Sequence, residues 1–170
     1  KNTKKLIIQG NHLKIFTDDK KNVAEFETLK VYLNLMDLLI KRKLDASKLE
    51  LDRGFIDYPA VFAKPLKVNR IYLQGKLYPD DNQITLSNFS TIINEDYYEG
   101  SANINLENFK AIGNLTQLKR KNIFYSMDLE AENLNFNVDP SGFNIEGEAM
   151  LGGIDIFLKG RKNYKNHEEF

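Results

Sequence analysis

The sequence predicts an all-β chain: a predominantly antiparallel, strongly curved meander sheet forming an open groove, with one or two short helices. Three observations predict it, namely apolar residues at every second position, short turn signals between the alternating stretches, and scarce helical spacing. The clearest stretch runs from Val68 to Leu106. Ile71, Leu73, Gly75 and Leu77 alternate with Tyr72, Gln74, Lys76 and Tyr78, and Pro79 to Asn82 read as a turn. Ile84 and Leu86 resume the alternation, Asn94 to Asp96 turn again, and Tyr98, Gly100, Ala102, Ile104 and Leu106 follow at every second place. Period two gives a strand one apolar face, and connections this short join antiparallel neighbours. A closed β-sandwich serving as an interaction or carbohydrate-binding module is the alternative, in which the same residues would be ordinary core.

The remaining elements follow the same logic. Leu6 to Ile8, then Gly10-Asn11, then Leu13, Ile15 and Phe16 predict a hairpin turning at Gly10-Asn11, with a polar turn at Asp18 to Asn22. Leu29, Val31, Leu33 and Leu35 alternate as a strand, whereas Met36, Leu39 and Ile40 have the spacing of one helical turn leading into Lys41-Arg42-Lys43. Leu44 and Ala46 have opposite parity to Leu49 and Leu51, which predicts a bulge near Ser47 or Lys48. Phe55 to Tyr58 continue as a strand that Pro59 ends. Phe109, Ile112, Leu115 and Leu118, spaced by three, predict a helix that Gly113 interrupts. Ile123 to Ala131 alternate, Leu134, Phe136 and Val138 do so after a switch of parity, and Asp139-Pro140-Ser141-Gly142 make a turn. Phe143 to Leu151 and Ile154 to Leu158 form a last hairpin across Gly152-Gly153. Residues 1–160 read as a single curved unit and 161–170 as a polar tail.

Composition narrows the function. The 170 residues carry 24 Lys plus Arg against 24 Asp plus Glu, so no overall positive field attracts nucleic acid, and no nucleic-acid partner is expected. The absence of Cys excludes disulfides, thiolate metal sites and a cysteine nucleophile. His12 and His167 are too few and too far apart for a histidine metal site or a Ser-His-Asp arrangement. Asp18-Asp19 and Asp80-Asp81 lack calcium-loop spacing and read as solvated turns. The glycines stand singly at turns and inside strands, not in a phosphate loop. No enzyme, metal or cofactor is expected. A start at Lys1 without Met leads to the expectation of a piece excised from a longer protein, with any anchor outside it.

Two segments resemble the AsmA-like superfamily, and more closely its large YhdP- and TamB-type members. Val23 to Tyr58, VAEFETLKVYLNLMDLLIKRKLDASKLELDRGFIDY, is similar to the family's succession of alternating strand, leucine-rich turn, basic residues and strand pair. Phe62 to Leu106, FAKPLKVNRIYLQGKLYPDDNQITLSNFSTIINEDYYEGSANINL, resembles its succession of a proline-containing lead-in, a strand with a small residue, an alternating strand and a Gly-initiated strand. The resemblance implies a segment of a periplasmic, inner-membrane-anchored bridge of repeating β-groove type. Such a bridge carries phospholipid, or another acyl-chain lipid, between inner and outer membranes. Its implied partners are flanking segments of the same chain and membrane-embedded proteins. On this reading Leu33, Ile71, Leu73, Leu77, Ile84, Leu86, Ile104 and Leu106 line the groove.

Overall fold

The structure, a computed structural model, describes residues 5–16, 20–35, 39, 46–57, 64–78 and 81–163. Every element with described bounds is a strand: β1 (Lys5–Phe16), β2 (Asn22–Asn34), β3 (Ala46–Ile56), β4 (Leu66–Tyr78), β5 (Gln83–Ile93), β6 (Asp96–Asn105), β7 (Lys110–Phe124), β8 (Met127–Ala131), β9 (Leu134–Asp139), β10 (Gly142–Leu151) and β11 (Ile154–Asn163). They form one 11-stranded antiparallel sheet in chain order, not the two sheets of a sandwich. Strand β8 and strand β9 lie end to end, both pairing with β7 and β10, so together they occupy one place in the sheet. Among the described residues β1 pairs only with β2 and β11 only with β10, which leaves both outer edges unpaired.

Turn chemistry explains the meander. Asn94 and Glu95 both have positive φ (49° and 76°), as do Tyr125 and Ser126 (48° and 62°) and Gly152 and Gly153 (56° and 85°). Two successive positive-φ residues make the hairpin turn whose twist matches that of the flanking strands. At the β9–β10 turn the Asp139 carboxylate accepts from the Ser141 and Gly142 amides at 2.7 and 3.2 Å. Those two bonds fix the bend at Pro140-Ser141.

The register places the apolar residues on one face. Leu29, Leu51, Ile71, Thr91, Tyr98, Leu118, Ala131, Ala149 and Ile156 are successive ladder partners across the sheet, and so are Ile8, Val31, Leu49, Leu73, Phe89, Gly100, Leu115 and Leu134. A third row runs Gly75, Leu86, Ala102, Gly113, Phe136, Ile145 and Gly160, and a fourth Leu77, Ile84, Ile104, Ala111, Val138 and Phe143. The other face is polar and tied by cross-strand pairs such as Arg70–Asp52 at 3.2 Å; the Arg120–Asp96 pair at 2.8 Å stands instead on the apolar side, two residues along from Leu118 and Tyr98 on their strands.

Two irregular lines cross the sheet and keep that face apolar. In the first, His12 and Arg53 have positive φ (56° and 45°), and Asn69 is an extra residue with no partner on β5. Beyond this line the ladder puts Phe26 and Val68 on the side opposite Leu51 and Ile71, yet the four pack in one cluster. The faces have therefore exchanged there. The second line consists of bulges. Leu86 to Phe89, Leu115 to Leu118 and Ala131 to Leu134 are each three residues apart yet stay on one face, because an extra residue resets the parity.

Several expectations change. The spacing-by-three over Phe109 to Leu118 is not a helix but the start of β7, and its last interval spans a bulge; Phe109 and Ile112, which a helix would bury, are exposed. Gly10-Asn11 is no turn either, for both residues pair inside a long β1 and the chain reverses only after Phe16. The bulge expected near Ser47 is present: Tyr32 pairs with Lys48 and Leu33 with Ala46, leaving Ser47 without a ladder partner. Strand β11 runs to Asn163, three residues into the stretch read as a tail. The helical turn at Met36 to Ile40, the basic run that follows it, Tyr58-Pro59 and residues 164–170 lie outside the described residues, Leu39 excepted.

The chain exposes 12335 Å², whereas a compact monomer of its mass exposes about 8,600 Å². Among the described residues no second layer covers the sheet, which contributes to that excess.

Candidate functional site

The candidate site is the apolar face itself, and its packing divides it into three parts. Over β7 to β10, Leu115, Leu118, Leu129, Ala131, Leu134 and Ala149 are buried in one cluster, with Phe89, Tyr98, Phe136, Ile145, Leu151, Ile156 and Leu158 packed against it. A smaller cluster of Ala24, Phe26 and Val68 sits beyond the first irregular line, contacted by Leu13, Leu51, Ile56, Ile71 and Ile93. Between them lies a stretch on β4, β5 and β6 where Leu73, Ile84, Leu86 and Ile104 are half-buried and belong to neither cluster.

Most of the candidates read from the sequence fall on this face. Leu73, Ile84, Leu86 and Ile104 occupy the intervening stretch, and Leu77 joins them by its pairing with Ile84. Ile71 lies at the margin of the smaller cluster. Leu33 is on the same face, pairing with Leu6 and Ala46, but is only 4% exposed. Leu106 lies one residue past the end of β6, where its amide donates to the Asn82 carbonyl at 2.7 Å, so it stands at the edge of the face and outside the strand ladder. Absent from the sequence list are the rings Phe89, Tyr98 and Phe136. Gly113 is the signal that could have found one of them, because an isolated glycine in a strand marks a close approach by a neighbour.

That approach is close. A Cβ at Gly113 would stand 2.5 Å from Phe136 Cζ, so the Phe136 ring lies on the bare backbone of β7. Its edge meets Phe89 with ring centroids 6.2 Å apart and planes at 78°. Phe89 in turn has Gly100 as its ladder neighbour on β6. The two rings thus bridge the glycine-bearing middle of the strands between them.

The polar face offers little chemistry. Its tightest group is on β2, β3 and β4: Lys48 Nζ donates to Glu50 Oε1 at 2.7 Å, and Tyr32 Oη donates to Glu50 Oε2 at 3.1 Å. The ammonium also stands 4.5 and 4.7 Å from the ring centroids of Tyr32 and Tyr72. The bond from Lys48 holds the Glu50 carboxyl below the usual carboxylate range, and the same bond raises Lys48. Desolvation, then the bond to Glu50, raises Tyr32. These contacts pair the carboxylate, the ammonium and the phenol with one another. A hollow of about 880 Å³ over β7, β8, β10 and β11 is lined by Lys119, Glu130, Glu148, Asp155 and Phe157, side chains that the register places on the polar face. Among the described residues no three acidic or histidine side chains converge to hold a metal ion.

No family model, no curated protein and no solved structure matches the chain.

Proposed function

We propose that the chain is a non-enzymatic segment of a longer, periplasm-spanning bridge protein that carries phospholipid along its apolar sheet face between inner and outer membranes. The observation that carries the reading is the set of apolar rows continuing from strand to strand, with a central stretch that no core cluster fills. The rows from Ile71 to Leu77 are six residues apart on β4, about 20 Å at roughly 3.3 Å per residue. That compares with about 15 Å for half of a ~30 Å hydrocarbon core, so a lipid tail fits between the rims. Soluble monomers ordinarily leave no more than a few hundred Å² of contiguous apolar surface open, and an acyl chain would cover these rows without polar partners. The resemblance of the segments at Val23 to Tyr58 and Phe62 to Leu106 supports the same reading and supplies the compartment.

Native mass spectrometry and organic extraction of the purified chain test it. Phospholipid bound in stoichiometric amount is expected, with a fall after Leu73→Arg. Protein that is free of lipid from several preparations, and that takes up none from phospholipid vesicles, overturns the proposal.

A further inference from the structure

We infer that the tip of the β7–β8 hairpin is a membrane-contact element that seats Ile123, Phe124 and Tyr125 in the interface of a phospholipid bilayer. Strand β6 pairs with β7 only as far as Lys119, and β10 pairs with β8 only as far as Leu129, so the hairpin runs on past the ladders of both neighbours. Every residue from Lys121 to Ser126 is exposed there. The rings of Phe124 and Tyr125 stand together at the apex, with centroids 4.4 Å apart and planes at 85°, and Tyr125 is 87% exposed. Tyr125 and Ser126 make the turn at positive φ, where Gly or Asn sits at less cost than an aromatic residue. The turn thus accepts backbone strain and presents a ring to the outside.

The order of residues along the hairpin argues for a bilayer as the occupant. Apolar side chains hold the apex, Lys121 and Asn122 follow, and Lys119 and Arg120 stand behind them. Leaving a membrane crosses the same layers: acyl boundary, aromatic belt, then head groups within reach of Lys and Arg. The nearest acids are engaged locally, since Asp96 holds Arg120, Asp128 accepts from the Asn122 amide at 3.1 Å, and Glu130 is the ladder partner of Lys119. That collar is close to neutral, so the apolar apex supplies the attraction and a zwitterionic surface suffices. Phe124 projects beyond Arg120 by about 10 Å at 3.3 Å per residue, with the extra residue at the register shift discounted. Interfacial segments bury their apolar side about 5–10 Å deep, so the tip is long enough. Phe124 and Met127 pair across the turn, which keeps the ladder closed where water is scarce. The inference goes beyond the lipid reading above and stands without it, because seating a tip in a bilayer requires no lipid to leave.

The chain contains no Trp, so Tyr125→Trp supplies a single fluorescent reporter. With phosphatidylcholine vesicles its emission is expected to move to shorter wavelength and to be quenched by lipid brominated near the head of the acyl tail. The emission of Phe157→Trp, at an exposed ring elsewhere on the sheet, should stay unchanged. The unaltered chain is expected to float with the vesicles, and Phe124→Ser combined with Tyr125→Asn to weaken that binding by about tenfold or more. Neither ring belongs to a core cluster and Asn suits the turn, so the circular dichroism spectrum should stay that of the parent. Leu73→Arg, which lowers lipid content under the lipid reading, should leave flotation unchanged, so the two proposals fail separately. No flotation of the unaltered chain, flotation that the tip substitutions spare, or an unshifted emission from the Tyr125→Trp chain overturns the inference. So does self-association that the tip substitutions abolish while vesicles stay unbound, which would make the tip a protein contact.

Discussion

The apolar face over β7 to β10 and the one over β4 to β6 share a residue vocabulary, a register and a sheet, yet one is packed and the other is not. Leu134 is fully buried among leucines, alanines and the Phe136 ring, whereas Leu73, three strands away from Leu115 in the same row, belongs to no cluster. The difference comes from the bulges and the aromatics. Where β7, β8 and β9 reset parity through an extra residue, side chains from both sides of the reset crowd together, and the long rings cover what remains. Hydrophobicity alone therefore does not decide whether a sheet face is core or wall. A bulge alone does not decide it either, since β5 carries one between Leu86 and Phe89; the side chains that reach over from neighbouring strands, such as Phe136, do.

The widest test of the contrast is a charge on each side. Leu134→Arg desolvates a guanidinium without a partner, a loss of several kcal/mol against a total stability of about 5–15 kcal/mol, and the chain is expected to unfold in urea titrations. Leu73→Arg should fold with a modest loss, because its stem can lie along the wall while its head reaches water. Equal damage from both would erase the distinction.

The glycines give the next largest effect. A Cβ at Gly113 would lie 2.2 Å from the Ser101 carbonyl oxygen as well as against Phe136, so Gly113→Ala is expected to lose about 1–3 kcal/mol to overpacking. Nothing lies within 4 Å of the corresponding position at Gly10, and Gly10→Ala should stay within about 0.5 kcal/mol of the parent in the same titration.

A smaller effect should appear with pH at the Lys48–Glu50 pair. Because Glu50 titrates lower when folded, its contribution is present above its unfolded pKa of about 4.3 and is lost as pH falls through the folded value. Lys48 titrates higher when folded, so its contribution is complete below about 10.4 and disappears as pH rises through the folded value. Lys48→Met should therefore flatten thermal stability against pH at both ends while leaving lipid content unchanged. Smallest of all, Lys76→Glu on the polar face should alter stability by no more than about 0.5 kcal/mol, and lipid binding not at all.

The sheet was legible in the sequence wherever alternation ran unbroken, as from Ile71 to Leu77, and even the Ser47 bulge showed through the opposed parity of its flanks. It became illegible where a bulge imitated another period. Leu115 and Leu118 are three apart because one extra residue lies between them, and the same interval belongs to a helix face, so local spacing cannot separate the two. Gly10-Asn11 misled for a related reason: a good turn dipeptide inside a strand is overridden when the strand's full length finds a partner in β2. That Leu73, Ile84, Leu86 and Ile104 share one face was readable for the same cause as their strands. The ring pair was not, since Phe89 and Phe136 are brought together by the sheet's path through β6 and β7, which no window of sequence contains.

The meander order also bears on how the chain acquires its shape. Each strand pairs with a neighbour in the chain, and even Ala24 and Ile56, the most widely separated ladder partners, are reached by one hairpin step. No distant ends must find each other before the rest can form, so loop closure delays assembly less than in a sandwich with crossed connections. Stability should accumulate strand by strand, much as in a repeat array whose units touch only their neighbours. Loss of β1 would then remove only its ladder with β2 and the side chains resting there, while β3 to β11 keep every strand partner they have. Such a sheet can be lengthened or trimmed at an edge without being redesigned in the middle.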